Sequence, residues 1–344
     1  RVYLSAGDYE YARPNGAFTP DTTNRWVTIM PAPGVSRENV KIISPVGSAN
    51  SGMYTKLVNL YNITLMAPLL TSTNLEDYLW IDNVYLNGGG PNDPLAYWSS
   101  AWWTGVYATD STIFNTTNGF TTVSLARNVV ADEISNDAFP GALFVINSRV
   151  SAINPHGTVN HNDVWQERTP GTEDNVIVYG LYLDDSSPVQ GFLSRTLEHN
   201  NIAFVNNYLH LGGYPNQNQW RTLTDHFVFK HNTFTGTSFY IVFSDTALGV
   251  SGFYGSTNVK ISNNVFQWIN IGAPEAVSGS TSPVCEDTGI DFINNHYINL
   301  WPAYAGDPNK TPFGAQSCGT NFTEGLVIPG DRGYYGLGAP PWQG

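Results

Sequence analysis

The chain contains few charged residues, and its basic residues are scarcer than its acidic ones. Lysine and arginine together number 15 of 344 residues, and residues of either charge make up 12% of the chain. Aspartate and glutamate number 28, so the formal net charge is −13 at pH 7. A nucleic-acid-binding protein needs a basic surface to contact phosphates, so this composition argues against a nucleic-acid partner.

Cysteine and long apolar runs are also scarce. The two cysteines, Cys285 and Cys318, would close one disulfide in an oxidising compartment, and two buried thiols are the alternative. No apolar run is long enough to cross a membrane, so we expect no transmembrane segment. The chain begins at Arg1 rather than at a methionine, which suggests a removed signal peptide. We therefore expect a secreted or cell-surface protein.

Aromatic residues and a short strand-like repeat stand out against this background. Tyrosine, phenylalanine and tryptophan make up 13% of the chain, which favours strands over helices. A short pattern recurs roughly every 18 to 33 residues. It consists of an alternating apolar segment, a polar bend that is usually Asn and, in most copies, a second short apolar segment. This spacing indicates a solenoid. The clearest copies are residues 202–209 (IAFVNNYL), 227–234 (FVFKHNTF), 259–266 (VKISNNVF) and 290–297 (IDFINNHY).

The repeated asparagines are interpreted as structural residues. Asparagine tolerates left-handed backbone geometry and bonds its own main chain, so an Asn pair suits a tight bend between two strands. If the bends stack on one another, their side chains can also bond from one repeat to the next as a ladder. The asparagines assigned to this role are Asn147, Asn206, Asn207, Asn263, Asn264, Asn294 and Asn295.

This spacing, together with the asparagine bends, resembles the pectate-lyase-like superfamily of right-handed parallel β-helices. The resemblance implies an all-β fold, a single-stranded right-handed parallel β-helix in which one chain winds through coils of three short β-strands each. We expect it to form one domain over residues 1–344. Residues 1–37 would form an N-terminal cap, 38–300 the coils and 301–344 an irregular tail. A β-propeller is the main alternative, but its blades need about 40 to 45 residues each.

The resemblance also implies where a functional site would lie. In such coils a variable loop and the first strand of the next coil follow the bend, and related enzymes use that flank. In this chain the flank falls near residues 132–222, and its polar side chains would converge in a cleft. The residues predicted to contribute to this cleft are Glu133, Asp137, His156, His161, Asp163, Gln166, Gln190, Arg195 and Arg221.

Two reaction mechanisms fit these residues. In a lyase or epimerase, His161 or His156 would abstract the proton beside a uronate carboxylate. Arg195 and Arg221 would pair with that carboxylate, and Gln166 and Gln190 would also bind substrate.

In the same mechanism Ca²⁺ would be bound by oxygen ligands from Glu133, Asp137 and Asp163. In a hydrolase, Asp137 and Asp163 would instead be the carboxylate pair. The non-catalytic alternative is that Asp163 caps loop amides and Trp165 packs in the coil.

Three classes of function remain open. The first is a lyase, hydrolase or epimerase acting on an extracellular polysaccharide, and Asp163→Ala should then abolish its activity without unfolding it. The second is a non-catalytic carbohydrate-binding or adhesion module, which would use tryptophan and tyrosine without paired acids. The third is a rigid structural fibre or spike component. The oligomeric state is not readable from the sequence.

Overall fold

The computed structural model describes most of the first half of the chain and the strand regions of the second half. The described residues are 1–10, 25–43, 57–66, 78–88, 105–153, 162–167, 174–184, 189–194, 199–211, 218–220, 224–241, 257–271, 290–293, 295–297 and 322–324. They form β-strands and one short 3₁₀ helix, Arg37–Asn39. Within these ranges no helix is long and apolar enough to cross a membrane.

Backbone contacts divide the chain into two compact units, Arg1–Asn162 and Asp163–Gly344. Unit 1 is built from short strands. In chain order they are β1 (Val2–Leu4), β2 (Gly7–Glu10), β3 (Val27–Pro31), β4 (Val40–Ile43), β5 (Leu57–Tyr61), β6 (Thr64–Met66), β7 (Tyr78–Asp82), β8 (Tyr85–Asn87), β9 (Gly105–Thr109), β10 (Thr112–Thr116), β11 (Leu125–Arg127), β12 (Val130–Ile134), β13 (Phe139–Pro140), β14 (Phe144–Ile146) and β15 (Arg149–Val150).

The strands of unit 1 stack into two parallel sheets. The first sheet contains β1, β3, β5, β7, β9, β11 and β14, each paired in parallel with the next. The second sheet contains β2, β4, β6, β8, β10, β12 and β15 in the same way. Neighbouring strands of each sheet come from successive turns of the chain, which is the topology of a parallel β-helix.

Unit 2 repeats this arrangement with a third sheet. Its strands are β16 (Asp163–Gln166), β17 (Val176–Tyr179), β18 (Tyr182–Asp184), β19 (Gln190–Ser194), β20 (His199–Val205), β21 (Tyr208–His210), β22 (Asn218–Trp220), β23 (Thr224–Lys230), β24 (Thr233–Ile241), β25 (Thr257–Ser262), β26 (Val265–Ile271), β27 (Ile290–Ile293), β28 (Asn295–Tyr297) and β29 (Phe322–Glu324).

The three sheets of unit 2 are also parallel. One contains β17, β20, β23, β25 and β27. The next contains β18, β21, β24, β26, β28 and β29. The third contains β16, β19, β22 and the second halves of β24 and β26. The register of β24 against β26 shifts between Phe234 and Ser238, so a single long strand serves two sheets.

The bends that follow β5, β7, β9, β11 and β14 in unit 1, and β17, β20, β23 and β25 in unit 2, have left-handed backbone geometry. Asparagine is the commonest residue there because its short polar side chain tolerates this conformation. The residues with positive φ at this bend are Asn62, Asn83, Asp110, Asn128, Asn147, Gly180, Asn206, His231 and Asn263. The bend assigned to Asn147, Asn206 and Asn263 from the sequence is therefore confirmed, and Asn294 lies outside the described residues.

The next residue in unit 2 forms a buried asparagine ladder. The amide Nδ2 groups of Asn207, Asn232 and Asn264 each donate to the Oδ1 of the asparagine one rung on, at 2.8, 3.1 and 2.8 Å. Asn295 accepts the last of these bonds. Every Nδ2 also donates to a backbone carbonyl of the preceding rung. The predicted ladder through Asn207, Asn264 and Asn295 is therefore confirmed.

Alternation along each strand places apolar side chains inside the coils. In β17, Val176 and Val178 are fully buried, whereas Ile177 and Tyr179 are exposed. The interior of unit 2 is rich in aromatic rings, and Phe192 stacks on Phe204 at 4.3 Å between ring centres. The rungs are uneven, because hydrogen-bonded bend residues are 18 to 32 residues apart along the chain.

The all-β parallel β-helix predicted from the sequence is confirmed. Regular parallel pairing begins at Val2, inside the segment expected to form the cap. The expectation of one continuous domain stays a prediction. Both cysteines lie outside the described residues, as does most of the expected tail.

Candidate functional site

An open groove lies on the outer face of the first sheet in unit 1. Strand β7 shows how the sequence builds it: Leu79 and Ile81 are fully buried, while Trp80 between them is 36% exposed. The groove has a volume of about 540 Å³. It is lined by Trp26, Leu57, Tyr78, Trp80, Tyr107, Thr109, Leu125 and Arg127.

Strand register brings these side chains together from distant parts of the chain. Trp80 is paired with Tyr107, and Tyr107 with Leu125, so these three form one outward-facing row across three rungs. Leu57 is paired with Tyr78 in a second row beside the first. Outward aromatic rings on neighbouring rungs therefore form a continuous surface.

The orientation of the Trp80 ring is set by hydrogen bonds. Its indole Nε1 donates to the Thr109 hydroxyl at 2.9 Å, and that hydroxyl donates to Asp82 Oδ1 at 2.9 Å. Trp26 packs edge-on against Trp80, with ring centres 6.2 Å apart and planes at 79°. Since the polar edge of Trp80 already has a partner, its exposed face is the part that can contact a ligand.

Gly105 makes room for two tyrosines in the groove. A Cβ atom on Gly105 would lie 3.0 Å from the Tyr107 hydroxyl oxygen and 3.0 Å from Cδ1 of Tyr78. These distances are shorter than ordinary van der Waals contact, so both rings approach the backbone because this residue has no side chain.

Arg127 is the charged residue of the groove. It ends β11, is exposed, and is paired with Thr109 on the preceding rung. No carboxylate among the described residues forms an ion pair with it. The groove thus combines apolar ring faces with a hydroxyl and a guanidinium. The ring faces can contact the apolar face of a ligand, and the two polar groups can contact its polar edge.

The flank predicted from the sequence is described only in part. Asp163 begins β16 and is paired with Gln190 on β19, and both side chains are buried, Asp163 completely. Gln166 ends β16 and is half-buried. Trp165, which shares the face of Asp163, packs inside the coil against Trp220 at 6.3 Å between ring centres.

Two other predicted residues lie in unit 1. Asp137 is buried beside the bend at Asn118, whose Oδ1 accepts from the Asp137 backbone N–H at 3.3 Å, and Asp137 Oδ2 accepts from Asn136 Nδ2 at 3.0 Å. Glu133 is half-buried in β12 with a left-handed backbone, φ 50°.

Glu133 also influences Tyr85. Burial, followed by the charges of Asp132 and Glu133, raises the pKa of the Tyr85 hydroxyl, while Arg37 opposes the shift. The described residues contain no group of three or more histidine, cysteine, aspartate or glutamate side chains suited to a metal ion. The assignment of Glu133 to Ca²⁺ therefore stays a prediction.

The remaining predicted site residues, His156, His161, Arg195 and Arg221, lie outside the described residues. The structure therefore brings together Asp163 and Gln190 within unit 2, and it places Asp137 and Glu133 within unit 1. The catalytic and substrate-binding roles of all these residues stay predictions.

One buried polar cluster in unit 2 was not identified from the sequence. Oε2 of Glu167 accepts hydrogen bonds from the Ser194 hydroxyl and from His199 Nε2, the latter at 2.8 Å. His199 is fully buried, and its ring lies 5.8 Å from that of Trp220. In a nucleophilic triad the imidazole lies between hydroxyl and carboxylate, whereas here both groups bond one carboxylate oxygen. The arrangement is that of a buried structural network.

Comparisons with protein-family models, curated proteins and solved structures gave no match. The class of this protein is therefore defined by its own fold and site. It is a parallel β-helix protein, and this fold fits a polysaccharide-active or adhesion protein in general.

Proposed function

We propose that the protein binds a polysaccharide in the groove of unit 1, as a carbohydrate-binding or adhesion protein. The observation that carries this proposal is the row of outward aromatic side chains on neighbouring rungs. Trp80 is 36% exposed and Trp26 42% exposed, although tryptophan is usually well buried. A sugar ring offers an apolar C–H face and a polar hydroxyl edge, which match an aromatic ring flanked by hydrogen-bonding groups.

The dimensions of the groove favour a chain of sugars over a single sugar. Its lining runs from Trp26, just before β3, to Arg127 at the end of β11. These residues span five rungs of the first sheet, and neighbouring strands are about 4.8 Å apart, so the groove is about 19 Å long. A polymer lying along the stack would contact several rungs at once.

The groove supports binding more directly than it supports catalysis. Its described lining residues include no carboxylate, whereas glycoside hydrolysis generally uses a pair of them. The lyase or hydrolase activity predicted for Asp137, His156, His161 and Asp163 concerns a different part of the chain. It is a separate proposal, which the experiment below also tests.

The test is affinity electrophoresis of the whole protein through gels containing a broad panel of neutral and acidic polysaccharides. The wild type should be retarded by at least one polymer, and Trp80→Ala should migrate freely. Tyr179→Ala removes a comparably exposed aromatic ring on β17, which is not among the residues that line the groove, and should behave as the wild type does. The proposal would be contradicted if no polymer retarded the wild type, or if Trp80→Ala were retarded as strongly as the wild type.

The same polymers should be incubated with the protein with and without EDTA. Unsaturated products that absorb ultraviolet light would identify a lyase, and new reducing ends alone would identify a hydrolase. Binding without either product supports an adhesion or binding function, because no lyase or hydrolase reaction would then be detected for the predicted catalytic residues.

A further inference from the structure

We infer that Arg127 makes the groove selective for a largely neutral polysaccharide that carries isolated carboxylate groups. This inference rests on the proposed function, because it assigns a specificity to the same groove. It concerns one end of the groove, where the aromatic surface gives way to a single guanidinium.

The surroundings of Arg127 leave its guanidinium available to a ligand. Strand pairing places Asp82 in the same row as Arg127, two rungs away, and Asp110 follows Thr109, the residue paired with Arg127. Asp110 accepts from Asn128 Nδ2 at 3.1 Å, and Asp82 accepts from the Thr109 hydroxyl at 2.9 Å. Within the described part of the chain, neither acid forms an ion pair with Arg127.

Strand register places Arg127 beside the aromatic row. Tyr107 is paired with Leu125, and Thr109 with Arg127. Arg127 therefore lies two residues after Leu125, the member of the aromatic row on the same strand. Residues two apart in a strand share a face. A sugar stacked against Tyr107 would therefore direct a substituent at its edge toward Arg127.

Guanidinium chemistry favours a carboxylate at this point. Arginine presents planar, fixed N–H donors that match the two oxygens of a carboxylate, and such charge-assisted pairs are stronger than bonds to neutral hydroxyls. Arg127 would thereby distinguish a sugar acid from the corresponding neutral sugar.

The rest of the molecule argues against a densely acidic polymer. The other residues that line the groove are neutral, and the chain has a formal net charge of −13. A negatively charged protein repels a polyanion along its length, while a single arginine compensates a single carboxylate. Sparse carboxylates on a neutral chain are therefore the preferred chemistry.

The test compares three forms of whichever panel polymer binds most tightly: free of carboxyl groups, sparsely carboxylated and fully carboxylated. They are prepared by reducing carboxyl groups or by oxidising primary hydroxyls. We expect the wild type to bind the sparse form about tenfold more tightly than the carboxyl-free form at low salt, and more tightly than the fully carboxylated form. Arg127→Gln should bind the sparse and carboxyl-free forms equally.

Arg127→Lys serves as the matched control, because it retains the charge but loses the two-pronged geometry. It should show a smaller preference for the sparse form than the wild type does. A preference that survives in Arg127→Gln, or tightest wild-type binding to the fully carboxylated form, would overturn the inference. Binding of all three forms with equal affinity would also overturn the inference, but it would leave the proposed function intact. No binding to any polymer would contradict both the inference and the proposed function.

Discussion

Removing one side chain from the asparagine ladder should destabilise unit 2 strongly. Asn232 is 1% exposed and lies in the middle of the ladder. Its Oδ1 accepts from the backbone N–H and the Nδ2 of Asn207 at 3.1 and 2.8 Å, and its Nδ2 donates to the Phe204 carbonyl at 2.9 Å. Asn232→Ala removes these partners and provides no replacement.

The size of the effect follows from the groups left without partners. The variant leaves the Asn207 backbone N–H and one of the Asn207 Nδ2 hydrogens unbonded in a buried position. Each buried donor without a partner costs about 1 to 3 kcal/mol, so the free energy of unfolding should fall by about 2 to 6 kcal/mol. A water bound in the space left by the amide would meet the two Asn207 donors and the Phe204 carbonyl, which would bring the loss toward the lower end of this range.

The measurement is urea unfolding followed by far-ultraviolet circular dichroism, with Asn206→Ala as the matched control. Asn206 lies in the corresponding bend one rung earlier, immediately before the ladder residue Asn207, and it has φ 60°. Alanine in that left-handed conformation should cost about 1 to 2 kcal/mol. If Asn232→Ala destabilises no more than this control, the ladder is not the stabilising element that its geometry indicates.

Three further substitutions test particular contacts. Gly119→Ala would place a Cβ atom 2.2 Å from the Ala138 carbonyl oxygen, so we expect a loss of about 3 kcal/mol in a urea titration. Gly105→Ala should displace the two tyrosine rings above it, and we expect severalfold weaker polysaccharide binding with an unchanged circular dichroism spectrum. His231→Asn should raise the melting temperature increasingly as pH falls from about 7.5 to 5. Burial and then Lys230 lower the pKa of His231, so the unfolded chain takes up the proton first and acid destabilises the wild type.

Each of these substitutions has an outcome that would contradict its reasoning. A fully stable Gly119→Ala would mean that the two rungs are not in close backbone contact at that point. Unchanged binding by Gly105→Ala would place the ligand away from the tyrosines. A stability difference between His231→Asn and the wild type that does not vary with pH would show that protonation of this side chain is not coupled to folding.

The fold was predictable because its signal recurs. Asn206-Asn207 and Asn263-Asn264 occur as adjacent pairs at the same point of two repeats, and Asn232 takes the second position in the repeat between them. A repeated local signal survives variation in loop length. The structure adds that the first asparagine of each pair supplies the left-handed turn and the second supplies the ladder.

The groove was not predictable, because it depends on register between rungs of unequal length. Trp80 and Tyr107 are paired neighbours on adjacent strands, yet the intervening chain gives no sign of their alignment. The burial of Asp163 illustrates a second limit. Strand alternation puts Asp163 and Trp165 on one face, but the sequence left open whether that face lies inside the coil or in a cleft, and both side chains are fully buried.

The most direct test of the central proposal is isothermal titration calorimetry of the wild type, Trp80→Ala and Tyr179→Ala with the best-binding polysaccharide. Loss of the stacked ring in Trp80→Ala should cost about 2 kcal/mol, which is roughly a thirtyfold weaker affinity, and Tyr179→Ala should match the wild type. Equal affinities for all three proteins would show that the aromatic groove of unit 1 does not bind the polysaccharide.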